Sequence, residues 1–188
     1  GASPDRLEKL IAERLKPGTD KKKIDKRIWD LFGERWAIMF TDLAGFSRQV
    51  AAFGIIHFLQ IIYESQRLFG PYIDHNDGIL LKTEGDSMLV IFRNVRKAIA
   101  CSLAMQRCLW KYNEDRQDTE KILLCIGLGY GEILRVGDQD VFGAEVNAAS
   151  KMGEDTAKAG EIMVTGAVQA AAKKITGIRF QRLAKTPS

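Results

Sequence analysis

Hydrophobic and polar positions change period several times along the chain. Over residues 5–15, Leu7, Leu10, Ile11 and Leu15 recur at helical intervals among charged residues, which predicts a short amphipathic helix. Pro17-Gly18 breaks it, and a second short helix is expected over 21–32. After Trp36 the spacing tightens. Ala37-Ile38-Met39-Phe40 is a compact apolar run ending in Thr41-Asp42, which predicts a strand, and Gly45 permits a tight turn behind it. Residues 47–69 return to helical spacing through Phe58, Leu59 and Ile62, with Pro71 expected to follow the helix end. Asn76-Asp77-Gly78 reads as a turn. Residues 79–83 and 87–92 predict two strands joined by Glu84-Gly85-Asp86. A long helix is expected over 95–112, with Ala98, Cys101, Met105 and Leu109 facing inward. Then come strands over 122–128 and 132–136, a helix over 143–159 closed by Gly160, a strand over 162–165, a helix over 168–174 and the start of a last strand at 180–183.

From residue 36 onward the order is strand, helix, strand, strand, helix, strand. It predicts an α+β fold with helices packed on one sheet, and the order resembles a ferredoxin-like core. Residues 1–35 read as a helical connector and 36–188 as the main domain, with its last hairpin cut short at Ser188. A length of 188 residues suits one domain plus such a flank, and 46% hydrophobic with 28% charged residues supports a sizeable core and excludes a disordered chain. No apolar run reaches the roughly 18 residues that cross a bilayer, and no signal peptide is visible. A start at Gly1 reads as a fragment of a longer protein, which leaves room for a membrane anchor or sensor region in the parent. The net charge of +4 gathers at Lys21, Lys22, Lys23, Lys26 and Arg27, and reads as a solvated linker rather than a nucleic-acid surface. Cys101, Cys108 and Cys125 have no framework spacing and are expected as reduced core thiols of a cytoplasmic domain. His57 and His75 stand alone and read as structural or surface residues, and the scattered aromatic residues read as core.

Two carboxylates stand out. Asp42 lies where an apolar strand runs into a Gly-containing turn, and Asp86 lies at a tip between two strands. Brought together they would repel unless a divalent cation neutralised them, and magnesium favours one or two carboxylates plus substrate phosphates. Asp42 as a helix cap and Asp86 as an ordinary turn residue remain open on these grounds. In the segment 140–152, Asn147 and Lys151 are four apart and share a helix face, where an amide and a cation suit a developing phosphate charge. Asp140 just ahead of that helix reads equally well as a residue favoured by the helix dipole. Lys82 follows Ile79-Leu80-Leu81, and a lysine on a strand usually faces solvent.

Together the segments are more informative. Phe40-Thr41-Asp42-Leu43-Ala44-Gly45-Phe46-Ser47, Lys82-Thr83-Glu84-Gly85-Asp86-Ser87, and Asp140-Val141-Phe142-Gly143 with Val146-Asn147 and Ala149-Ser150 resemble, in order and separation, the three motifs of class III nucleotidyl cyclase catalytic domains, bacterial adenylate cyclase type. The resemblance covers about residues 36–183. It implies two Mg²⁺ or Mn²⁺ ions held by Asp42 and Asp86, with the Leu43 carbonyl as an extra ligand. It implies that Gly45 and Phe46 form the turn closing the phosphate site. Lys82 and Asp140 would read the adenine edge, where guanylate-forming relatives typically carry Glu and Cys, so the implied substrate is ATP. Asn147 would orient the ribose, and Lys151 stands where the family usually has Arg. The family shares its sites across a dimer, which implies a homodimer making cyclic AMP and pyrophosphate for intracellular signalling. A further phosphate-binding Lys usually lies in a late hairpin, and Lys185 is not assigned that role.

Lys151 keeps a second reading open: a weak or inactive cyclase homology domain serving as a dimerising or nucleotide-sensing module. An RNA-binding domain on a similar sheet would need exposed aromatics in its strands, and Leu123-Leu124-Cys125-Ile126 and Met88-Leu89-Val90-Ile91 lack them. A diguanylate-forming enzyme would need a Gly-Gly-acidic signature that is missing.

Overall fold

The computed structural model describes residues 2–183, apart from the side chains of Phe46 and Ser47. Strand β1 (Gly33–Leu43) leads into helix α3 (Phe46–His75), the hairpin β2 (Ile79–Glu84) and β3 (Ser87–Phe92), helix α4 (Val95–Asn113) and strand β4 (Leu124–Val136). In front of β1 lie helices α1 (Pro4–Arg14) and α2 (Lys21–Phe32). After β4 come β5 (Asp140–Phe142), helix α5 (Ala144–Lys151), one π-helical turn over Met152–Thr156, β6 (Ile162–Val164) and helix α6 (Gly166–Ala171). The four central strands run β2-β3-β1-β4, all antiparallel, as in a ferredoxin-like sheet, and β5 adds to the end of β4 while β6 pairs parallel with its start.

The period-2 alternation of β1 divides the core. Ala37, Met39 and Leu43 point into the large cluster with Phe58, Phe69 and Ile73 of α3 and Ala98, Cys101, Met105 and Leu109 of α4. Trp36, Ile38 and Phe40 point the other way, onto Val146 and Ala149 of α5 and Leu89 and Ile91 of β3. Asp42 continues that second set, so its carboxylate emerges on the α5 side of the sheet.

Several elements differ from the sequence pattern. The two strands expected over 122–128 and 132–136 are one. Gly127, Gly129 and Gly131 pair with Phe40, Ile38 and Trp36, and all three lie on the α5 face. They mark a close approach rather than a break: a Cβ on Gly127 would sit 2.2 Å from the Ala149 carbonyl oxygen, and one on Gly129 would sit 2.4 Å from that of Glu145. The helix expected to end before Pro71 continues to His75, with an internal break at Gly54 (φ 84°). Pro71 itself is exposed, while Phe69 and Ile73 on either side are 1% and 4% exposed, so tertiary burial carries the helix past the proline. The helix expected over 143–159 stops at Lys151 and widens into the π-helical turn. β1 begins at Gly33 rather than Trp36, the last helix spans Gly166–Ala171 rather than 168–174, and residues 180–183 form no strand. All three cysteines are free; Cys101 and Cys125 are buried and Cys108 is partly so. Phe32, Phe58, Phe69 and Phe92 are core as expected, but Phe53, Tyr63, Trp110 and Phe142 are exposed. His57 is tied to the Thr119 carbonyl, consistent with a structural role.

Leu10, Ile24, Ile28 and Phe32 close over Val136 at the end of β4, and the Gly137 N–H donates to the Ala2 carbonyl at 3.0 Å. The front helices therefore share a core with the sheet. Phe32 is fully buried, and Phe32→Ala is expected to cost about 3–5 kcal/mol. Leu15→Ala, at a side chain 77% exposed, should stay within about 0.5 kcal/mol. Chemical denaturation of both variants checks the contrast.

Candidate active site

Asp42 and Asp86 meet on one backbone donor. The Leu43 N–H donates to Asp42 Oδ1 at 3.0 Å and to Asp86 Oδ2 at 3.2 Å, and Ser87 Oγ lies 3.4 Å from Asp42 Oδ1. The pairing register explains the convergence: β3 runs antiparallel to β1, so the turn at Gly85 (φ 57°) returns the chain beside the end of β1. Burial first, then the Asp86 carboxylate beside it, push the Asp42 carboxyl up to about 8. The Leu43 N–H opposes that rise, and the charge of Glu154 adds to it. Among the described residues no set of three or more His, Cys, Asp or Glu side chains is gathered as metal ligands. Two crowded carboxylates nonetheless fit Mg²⁺ or Mn²⁺, which favour oxygen donors and take few from the protein when phosphates supply the rest. Gly45 has φ 79°, a left-handed conformation that suits glycine, and opens α3 directly after this pair. The side chain of Phe46 and the whole of Lys185 lie outside the described residues.

Lys82 does not simply face solvent. β2 carries a bulge between Leu80 and Lys82, so Lys82 pairs with Leu89 instead of Met88. Leu89 belongs to the α5 side of the sheet and Met88 to the other, so the extra residue turns Lys82 toward the α5 side. There its Nζ lies 3.9 Å from Asp140 Oδ1, with both side chains about half exposed. Asp140 is the first residue of β5, the short strand that β4 holds at its end. Asn147 and Lys151 lie on the exposed side of α5, opposite the buried Val146 and Ala149.

A cleft of about 210 Å³ is lined by the apolar Phe40, Leu89, Val141 and Val146 and the polar Lys82, Ser87, Ser150 and Glu154; of the candidate residues above that are described, only Lys82 lines it. Ser87 and Ser150 stand in the motif segments without a role of their own, and Glu154 escapes a reading of the sequence altogether. Ser87 is the neighbour of a candidate ligand and could have been inferred from it. Glu154 sits in a π-helical turn that no regular periodicity marks.

Residues 33–186 match the model of the adenylate and guanylate cyclase catalytic domain. A putative adenylate cyclase 3 of Rhizobium meliloti is 27% identical over 77% of this chain, and serine/threonine-protein kinase pkn2 of Myxococcus xanthus is 29% identical over 71% of it. The chain spans 24% and 16% of those two proteins. A crystal structure of an adenylate/guanylate cyclase/hydrolase from Silicibacter pomeroyi superposes with a TM-score of 0.65 at 30% identity, over 77% of this chain and 83% of that one. The chain belongs to the adenylate and guanylate cyclase catalytic domain family. No helix among the described residues is long and apolar enough to cross a membrane.

Proposed function

We propose that this chain is the catalytic domain of an adenylate cyclase, converting ATP to 3′,5′-cyclic AMP and pyrophosphate at sites shared across a homodimer. The observation that carries the reading is the convergence of Asp42 and Asp86 on the Leu43 N–H, in a chain of this family. Divalent cations bound at that pair would neutralise charge on the triphosphate and at the α-phosphate. The ribose 3′-oxygen forms its bond to the α-phosphorus, the bond to the bridging oxygen breaks, pyrophosphate leaves and the hydroxyl proton is released. The chain's own groups hold the reactants in line and supply charge. Asn147 orients the ribose, and Lys151 meets developing phosphate charge.

Lys82 and Asp140 favour ATP on chemical grounds. Adenine offers an acceptor ring nitrogen to the ammonium and a donor amine to the carboxylate. Guanine presents the reverse at both atoms and would leave two polar groups unpaired. Lys82→Glu combined with Asp140→Cys is expected to lower kcat/KM for ATP about a hundredfold and to shift preference to GTP. Product analysis with each nucleotide checks this.

Two features support a shared site. The cleft of about 210 Å³ falls below the roughly 300–1,000 Å³ of pockets that enclose a ligand. Phe53, Ile55, Ile56, Leu59 and Tyr63 leave an apolar surface on α3, with Ile56 78% and Tyr63 69% exposed. Mixing Asp42→Ala chains with Asn147→Ala chains, each inactive alone, should restore roughly a quarter of wild-type activity, since half the dimers then carry one intact site. No restoration, with subunit exchange demonstrated, would count against a shared site. Lys151 favours the second reading, a low-turnover nucleotide-sensing module. A large gain in turnover in Lys151→Arg would support catalysis limited by loss of the bidentate fork.

A further inference from the structure

A third carboxylate, Glu154, lines the same cleft as Ser87, whose Oγ lies 3.4 Å from Asp42 Oδ1. Glu154 lies in the π-helical turn that follows α5, and the Ala157 N–H closes that turn on the Met152 carbonyl, five residues back, at 2.7 Å. Single π-turns inside helices are frequent at functional sites. Here the wider turn is pressed onto the strand that carries Asp42. Gly153 is buried against Phe40, where a Cβ would meet the ring at 2.6 Å and the Phe40 carbonyl oxygen at 3.0 Å. Its backbone N–H side lies equally close to β4, with the Gly153 nitrogen 2.9 Å from where a Gly127 Cβ would stand. Phe40 is two residues before Asp42 on the same face of β1. The residue after Gly153 is thereby fixed in the lining of the cleft, together with Phe40 and Ser87. Lys82 and Glu84 also line that cleft, so the electrostatics there belong to several groups.

We infer that Glu154 is a positioning residue for the divalent cations: an outer carboxylate, beyond direct ligating distance, that strengthens their capture at Asp42 and Asp86 before nucleotide arrives. This inference rests on the metal-pair reading above. Phe40, on the Asp42 face of β1, and Ser87, next to Asp86, both line the cleft with Glu154, which places its charge near the pair. Two divalent cations bring four positive charges to two ligating carboxylates. A third negative group nearby deepens the potential for the cations, and opposes the triphosphate that follows. Glu154 therefore favours cations bound ahead of substrate.

The test is direct binding of Mn²⁺ to the nucleotide-free chain, followed by the paramagnetic resonance signal of free Mn²⁺, in wild type, Glu154→Gln, Glu154→Asp and Asp42→Asn. Glu154→Gln is expected to weaken Mn²⁺ binding on the order of tenfold, with Glu154→Asp close to wild type because it restores the charge. In turnover, the apparent KM for Mn²⁺ should rise by more than kcat falls. Unchanged Mn²⁺ affinity in a folded Glu154→Gln, beside lost binding in Asp42→Asn, overturns the role of Glu154 and leaves the metal pair standing. Wild-type affinity retained in Asp42→Asn, or no binding by wild type, overturns the metal-pair reading and this inference with it.

Discussion

Asp42→Asn is expected to abolish cyclic nucleotide formation while raising the thermal midpoint of the metal-free protein above neutral pH. Both effects have one origin. Burial and the adjacent Asp86 hold the folded-state pKa of Asp42 near 8, well above the roughly 3.9 of an unfolded aspartate. A carboxyl whose pKa is raised on folding favours the native state while protonated. That contribution is complete below the unfolded pKa and is lost as pH rises through the folded value. Metal-free wild type should therefore lose stability progressively from about pH 4 to pH 8. Asn cannot ionise, still accepts the Leu43 N–H, and should flatten that decline, giving a midpoint higher by a few degrees at pH 8.5. Scanning calorimetry of both proteins in chelator from pH 5 to 9 checks it. Parallel pH profiles would contradict the assignment of strain to Asp42.

The second large effect is structural. Gly127→Ala should lower the thermal midpoint by roughly 6–12 °C, from an overpacking cost of about 3 kcal/mol. The added Cβ would stand 2.2 Å from the Ala149 carbonyl oxygen, 2.9 Å from the Gly153 nitrogen and 3.1 Å from the Met152 Cβ. Two of those contacts are backbone and cannot swing away, so α5 and the π-helical turn must lift off the sheet. Gly131→Ala is the control: its Cβ would meet only the Glu145 Cγ at 3.4 Å. It should cost less than about 1 kcal/mol. Equal midpoints for the two variants would show that α5 is not seated on Gly127 as described. Activity should fall with stability in Gly127→Ala, because the lifted segment carries Asn147, Lys151 and Glu154.

What was legible in the sequence follows from how local each signal is. The β3 run, the apolar centre of β1 and the charge-free face of α4 depend on spacing within one element, and they matched closely. Asp42 and Asp86 were legible because strand ends in an antiparallel sheet meet, and the family motifs set the partner strand. The gap expected between strands over 122–128 and 132–136 is absent because Gly129, like Gly127 before it, gives room to the α5 backbone, a purpose that lies about 20 residues downstream. Lys82 looked solvent-facing because a bulge at Leu81, invisible to a strict period of two, reverses its side. Pro71 was read as a terminator because propensity is local and the burial of Phe69 and Ile73 is not. Glu154 carried no signal, since a π-turn resets the register after α5.

The most direct measurement is the product formed by this chain from ATP and from GTP, in Mg²⁺ and in Mn²⁺, beside Asp42→Ala. Cyclic AMP and pyrophosphate from ATP, little product from GTP and none from the variant is the predicted result. A folded dimer that forms no cyclic nucleotide with either metal, or that prefers GTP with Lys82 and Asp140 intact, would contradict it.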